Sequence, residues 1–340
     1  MNESEVRPAY PFYPYVWQQD IWQRLTALVD ASRLPHALLL SGHAGIGKQR
    51  LAHAFSARLL CHAPTAESAC GVCKSCTLLM AGTHPDMVWL APETDAKTEK
   101  TAKFIKVDQI RELVGFAEKS AQLGGYRVVV IEPANLLNTQ AANALLKTLE
   151  EPGRETVIML LSSQPLSLSA TIRSRCQQIA LGIPAPADAL AWLAPQVQGE
   201  AMAQLLLGIS DGAPLAALAL RDALWFGERE RLLRDLAALS EGKQPALAVA
   251  QRWHVLGAEA VLSALASMAE DVVVLASGAA LVKHRDLTPI ITAIAKRVMP
   301  SAVLSFRQGL IEKQRLLSGN VSGSALLDAT FSEWSRLGRL

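Results

Sequence analysis

"SGHAGIGKQRLA", residues 41–52, lies between a short apolar run, HALLLS (36–41), and a helical pattern in which Leu51, Phe55 and Leu59 recur every fourth residue. Gly42, four residues, Gly47 and Lys48 spell a phosphate-binding loop up to its last letter. Such a loop holds an anion through backbone N–H groups, a helix N-terminus and one lysine that meets the terminal phosphates. Gly42, Gly45 and Gly47 let the backbone wrap closely around that anion. A strand before and a helix after are the context the motif requires, and they separate it from an ordinary glycine turn. The last position of the motif should be Ser or Thr, whose hydroxyl ligates magnesium. Here it is Gln49, which has no hydroxyl and whose amide oxygen sits on a longer side chain.

A second departure lies further on. Sites of this kind pair the loop with an apolar strand ending in two acidic residues, an Asp for the metal and a Glu that activates water. The run VVVI (128–131) ends instead in Glu132 and Pro133. Glu132 keeps a carboxylate, one methylene too long, and Pro133 offers no base. Phosphoryl transfer to water needs a positioned nucleophile and neutralised phosphate charge. The expectation is a degenerate phosphate loop (Gly42, Gly45, Gly47, Lys48, Gln49) with a degenerate partner (Glu132), unable to hydrolyse ATP alone. These residues do not require ATP or ADP to bind.

The rest of the chain frames this loop. A length of 340 residues suits two or three domains, and 50% hydrophobic with 19% charged residues is enough to fold. Lys and Arg number 33 against 31 Asp and Glu, a balance that argues against a protein that coats DNA. No secretory signal is visible at the start, and the longest charge-free stretch (156–172) contains SSQP. A bilayer span takes about 20 mostly apolar residues. The expected location is the cytoplasm.

Strand-like and helical runs alternate through the first half. Strands are predicted at 36–41, 86–90, 127–131 and 156–161. Helices are predicted after the loop, from an Asp108 cap carrying Ile110, Leu113, Val114 and Ala117, and over 141–149. The polar stretch 93–103 reads as an exposed loop. Alternation of this kind implies a mostly parallel sheet covered on both faces. At LGIPAP (181–186) two prolines mark a linker. Beyond it the pattern is helical, and VVVL (272–275) is read as helix because of its alanine-rich surroundings.

Four of the five cysteines, Cys61, Cys70, Cys73 and Cys76, form C-x8-C-x2-C-x2-C. In a reducing compartment such spacing suits a metal rather than disulfides. Four thiolates fit tetrahedral zinc, and they also fit an iron–sulfur cluster. Zinc is expected, with a structural role, because no redox apparatus is visible and four protein ligands leave no open position. His62 and His84 are not needed. Cys176 stands alone and reads as a small buried residue.

Two further stretches, NALLKTLEEP (143–152) and IRSRC (172–176), together with the loop and the cysteines, resemble bacterial clamp-loader subunits of the AAA+ class. The likeness reaches about residue 220 with specific motifs and rests on helical character beyond. The altered nucleotide residues make the chain similar to a non-motor member, since motor members keep Ser/Thr after the loop lysine and an Asp-Glu pair. The resemblance implies a RecA-like AAA+ domain over 1–183 with a zinc module at about 61–76. It also implies a small helical lid over 184–219 and an all-α collar domain over 220–340. It gives Arg175 the place of an arginine that reaches the ATP of a neighbouring subunit, while Arg173 receives no role. A motor's lid carries an arginine where GAPLA (212–216) has Leu215. The implied partners are gamma/tau motor subunits, the delta subunit, and the sliding clamp and primed DNA through the assembled loader of the polymerase III holoenzyme. No polymerase active site is legible. The competing readings are an ATP-hydrolysing motor of the gamma/tau type, a zinc-dependent DNA-binding module and a nucleotide kinase. Gln49 and Pro133 oppose the first, near-neutral charge the second, and the absence of a working phosphate site and acceptor pocket the third.

Overall fold

The computed structural model describes residues 12–94, 102–317 and 321–337. Of the stretch 93–103, expected to be an exposed loop, residues 95–101 lie outside the described residues. The chain divides into two compact units, Met1–Asp188 and Ala189–Leu340.

The first unit is built on one sheet of five parallel strands: β1 (Ala37–Ser41), β2 (Met87–Leu90), β3 (Arg127–Ile131), β4 (Thr156–Ser162) and β5 (Gln177–Ala180), in the order β2-β3-β4-β1-β5. Parallel neighbours need crossover connections, and helices supply them. These are α2 (Lys48–Leu60), α3 (Lys74–Met80), α4 (Val107–Ala117), α5 (Thr139–Glu150) and α6 (Ala170–Arg175), while α1 (Gln19–Asp30) precedes the first strand. Every residue of β1, β3 and β4 is buried, as their continuous apolar runs require of strands covered on both faces. On one face Leu39, Val129, Ile131, Ile158 and Leu160 pack with Ile110 and Leu113 of α4 and Leu145 and Leu149 of α5. The alternate residues Leu38, Leu40, Val128 and Val130 are buried on the other. Truncating such a leucine to alanine costs about 2–5 kcal/mol.

Two local expectations are corrected. Helix α4 starts one residue before Asp108, with Lys106 as its N-cap; the side chain of Gln109 accepts from the Lys106 N–H at 3.0 Å. Asp108 sits in the first turn, where it favours the helix dipole and pairs with Arg111 at 2.8 Å. Strand β5 was not foreseen. Its residues QQIA lie at the sheet edge and only Ile179 is buried, so the segment carries no apolar signature. Helix α5 is capped by Asn138, whose side chain accepts from the Ala141 N–H at 2.8 Å.

Beneath the sheet's far end Arg127 and Asp86 form a buried ion pair, Nη2 to Oδ1 at 3.3 Å. Asp86 also accepts from the Gln122 and Leu123 N–H groups, and Arg127 donates to the Phe116 carbonyl at 2.6 Å. Removing one partner of such a pair costs about 3–5 kcal/mol, because the other charge stays buried.

The division between the units falls within α7 (Pro186–Leu193), just after the proline-marked segment 181–185, which has no regular structure. The second unit continues with α8 (Glu200–Ile209), α9 (Pro214–Arg221), α10 (Leu224–Ser240), α11 (Ala246–Trp253), α12 (Ala258–Ala276), α13 (Thr288–Ala295), α14 (Pro300–Leu317) and α15 (Gly323–Leu337). Among the described residues it has no strand, and 272–275 is helix within α12. Its helices gather around two hydrophobic clusters, one spanning Ala189 to Phe226 and one spanning Leu232 to Trp334. The architecture is the RecA-like α/β sheet with helical C-terminal region that the resemblance implies. Among the described residues no single helix is long and apolar enough to cross a membrane.

Candidate functional site

The loop after β1 lies at the carboxyl end of the sheet, where open α/β sheets bind their ligands. Gly42 has φ +153°, and a Cβ there would meet the Leu181 carbonyl oxygen at 2.4 Å. Gly47 has φ +94°, and a Cβ there would meet the Tyr15 ring at 2.6 Å. Neither position accepts a side chain. Lys48 opens α2 and is nearly buried; its Nζ donates to the carbonyls of Gly42 and His43, both at 2.8 Å. Burial draws this ammonium below the ordinary lysine value, and the nearby Glu132 carboxylate opposes that shift.

Gln49 and Glu132, far apart in sequence, are neighbours in the fold, close enough for the Gln49 side chain to act on the Glu132 carboxyl. Burial raises Glu132 above the ordinary carboxylate range, while Gln49 and the charge of Lys48 pull it back. Its second oxygen, Oε2, is buried with no hydrogen-bond partner among the described residues. The two positions that would serve a metal in a motor thus hold an amide beside a buried carboxyl, and Pro133 adds no base. Leu215, the residue in place of a lid arginine, lies in the first turn of α9.

What covers the loop was not legible beforehand. Trp17 Nε1 donates to the Ile46 carbonyl at 3.0 Å, and Gln18 Nε2 donates to the Ile46 and Gly47 carbonyls at 3.2 and 2.9 Å. Tyr15 stacks on Trp17 with centroids 4.5 Å apart, and the Arg50 guanidinium lies 4.9 Å from the Tyr15 ring centre. The aromatic run YPFYPYVW (10–17) was the available signal, but nothing in it names its partner. Behind the loop, His53 of α2 stacks on Trp89 of β2 at 3.9 Å.

The four cysteines converge. Their sulfurs all lie within 4.8 Å of one another, with Cys61 to Cys73 and Cys70 to Cys76 both at 3.9 Å. Sulfurs about 2.3 Å from a tetrahedral zinc stand about 3.8 Å apart, so the set fits such an ion. Backbone N–H groups already point at the sulfurs: Cys70 N–H donates to Cys61 Sγ at 3.2 Å and Cys73 N–H to Cys70 Sγ at 3.4 Å. Burial pushes the Cys61 and Cys76 thiols up, whereas the Val72 and Cys73 N–H groups hold Cys70 down. At Cys73 burial is outweighed by hydrogen bonds, which bring the thiol to about 6. A divalent cation would hold all four as thiolates. His84 is occupied elsewhere, its Nε2 2.7 Å from Ser75 Oγ and its Nδ1 accepting from the Asp86 N–H at 3.1 Å.

Arg175 ends α6 and is about one-third exposed. Its Nε donates to Glu150 Oε1 at 2.6 Å and its Nη2 meets the same oxygen; Nη1 donates to the Thr171 carbonyl at 3.0 Å. Arg173, two residues earlier, has no side-chain partner among the described residues, and its Nε is buried. Burial pushes the Cys176 thiol up to about 11, which makes it an unreactive packing residue. The pairing of Arg175 with Glu150 had no sequence signal, since 25 positions separate them.

Comparison with known proteins gives this geometry a context. A family model described as DNA polymerase III, delta subunit, matches residues 17–184, and its companion, DNA polymerase III, delta subunit, C terminal, matches 223–324. The DNA polymerase III subunit delta' of Pseudomonas aeruginosa is 45% identical over 243 residues, 71% of this chain and 71% of its own length. That of Escherichia coli (strain K12) is 38% identical over 289 residues, 84% of each chain. The DNA polymerase III subunit tau/gamma of Haemophilus influenzae is 34% identical over 170 residues, 50% of this chain but 23% of its own length.

Proposed function

The chain belongs to the delta' family of DNA polymerase III clamp-loader subunits, and we propose that it is a non-motor member that scaffolds the loader and lends Arg175 to a neighbour's ATP. The observation that carries the non-motor reading is Lys48, whose ammonium is spent on the loop's own carbonyls, those of Gly42 and His43, both at 2.8 Å. Gln49 and Glu132, at the two positions that a motor would turn toward magnesium, support the same reading, since an amide stands there beside a buried carboxyl. The loop persists as a folded corner between β1 and α2 rather than as an engine.

The arginine role rests on chemistry. A guanidinium always carries charge and spreads it over a rigid fork. An arginine supplied in trans contributes a factor of about 10³–10⁵ in well-studied phosphoryl transfers. The four cysteines hold a structural zinc, which ties the end of α2 to the start of α3. The domains follow as a RecA-like body, a lid and a collar that packs with related domains of gamma/tau and delta subunits. The assembly works in the cytoplasm, opening the sliding clamp and setting it on primed DNA.

Reconstitution tests this. A loader assembled from motor subunits, delta subunit and this chain is expected to place the clamp on primed DNA at a rate that collapses when this chain is left out. Full loading by motor and delta subunits alone would overturn the scaffold reading.

A further inference from the structure

The finger reading leaves open what holds a flexible side chain at the right place before a neighbour's ATP arrives. An arginine has several rotatable bonds, and ordering it costs up to about 2 kcal/mol. Glu150 and Thr171 have already ordered this one. Glu150 Oε1 accepts the Nε–H of Arg175 and pairs with its Nη2, and the Thr171 carbonyl takes one Nη1–H. A guanidinium has five N–H groups. Two are hydrogen-bonded within the chain, so N–H groups remain on both terminal nitrogens. Terminal N–H groups are what a two-point contact to a phosphate uses.

We propose that Glu150 is a positioning residue: it locks Arg175 along one edge so that the other edge is offered, preformed, to the phosphates of ATP bound by the neighbouring subunit. The inference rests on Arg175 acting in trans. The opposite function, a clamp that keeps the arginine from phosphate, fits the geometry poorly. A clamp would occupy the terminal N–H groups now free of hydrogen bonds, and the Arg175 side chain would not be 32% exposed. Arg173 provides an internal contrast, being a nearby arginine with no side-chain partner among the described residues. The anchoring elements are firm. Glu150 is the last residue of α5, which packs on the sheet through Leu145 and Leu149, and Thr171 lies within α6, capped by Ser169.

The test uses the reconstituted loader, with clamp- and DNA-stimulated ATPase measured across ATP concentration. Each variant is first checked for assembly by gel filtration and for unchanged thermal unfolding. Arg175→Ala sets the scale. Glu150→Ala is expected to lose on the order of half or more of what Arg175→Ala loses, in kcat rather than KM, with Glu150→Gln intermediate because its carbonyl still accepts one bond. Glu151→Ala removes the same charge one residue away and should leave turnover unchanged. Adding Glu150→Ala to Arg175→Ala should cost nothing further, since residues acting through one another are not additive. If Arg175→Ala itself is silent, the finger reading fails. If Arg175→Ala is damaging while Glu150→Ala is silent, raises turnover, or adds to Arg175→Ala, the finger stands and the positioning role of Glu150 is refuted.

Discussion

The Lys48 ammonium donates to the Gly42 carbonyl at 2.8 Å, and to that of His43 at the same distance, closing the loop on its own lysine. Gln49 and Glu132 occupy the positions where a motor presents metal ligands, and Gln49 helps lower a Glu132 carboxyl that burial raises. The isolated chain is therefore expected to hydrolyse ATP no faster than background, with or without DNA. Substituting Gln49→Thr should not rescue turnover, because Pro133 still supplies no base. A DNA-stimulated activity that disappears in Lys48→Ala would show that the site works as an engine after all.

Metal content is the second expectation. The sulfur geometry fits one tetrahedral ion, so the purified chain should carry about one zinc. Replacing Cys73 and Cys76 together with Ser should release it and lower the unfolding midpoint of the first unit, since binding energy of a structural zinc is also folding energy. Metal analysis of protein grown without chelators decides the matter: no metal, or iron with visible absorbance, would defeat the assignment.

Arg175→Ala should leave the subunit folded, zinc-loaded and able to assemble, yet the loader should lose much of its stimulated ATPase. The loss is partial, because motor–motor boundaries keep their own arginines and only the site facing this chain is impaired. Arg175→Lys should rescue poorly: a point charge on a flexible stem cannot bind Glu150 along one edge and phosphate along the other. Arg173→Ala should do less. Steady-state turnover of a correctly assembled Arg175→Ala loader at the wild-type rate would return this arginine to a surface ion pair.

His53 gives a pH dependence. Burial lowers its ring from the ordinary 6.5 to about 4. Between those values the unfolded chain binds a proton that the folded chain does not. The contribution of His53 is therefore complete above 6.5 and is lost as pH falls toward 4, by up to about 3 kcal/mol. His53→Phe keeps an aromatic ring against Trp89 and removes the titration. Urea midpoints at pH 7 and pH 4.5 should differ less in the variant than in the wild type; equal differences would contradict a buried, neutral His53.

What the sequence determined is what short-range chemistry controls. Gly42, Gly45, Gly47 and Lys48 act through backbone conformation within one loop, so their letters announce the fold. Cys70, Cys73 and Cys76 are separated by two residues each, and that spacing alone brings thiolates to one point. The apolar runs of β1, β3 and β4 are legible because burial on both faces confines polar residues to the strand ends. What the tertiary structure decided are the pairs that sheet order creates. Inserting β4 between β1 and β3 sets the distance at which Gln49 finds Glu132. Packing of α6 beside α5 brings Arg175 onto Glu150, and the fold-back of residues 15–18 seats Trp17 and Gln18 on the loop carbonyls. β5 belongs here too, since an edge strand needs only a partner's backbone and leaves its side chains polar. Hydrogen bonds between distant residues depend on where whole elements are stacked, and a linear sequence fixes the donors and acceptors without fixing which of them meet.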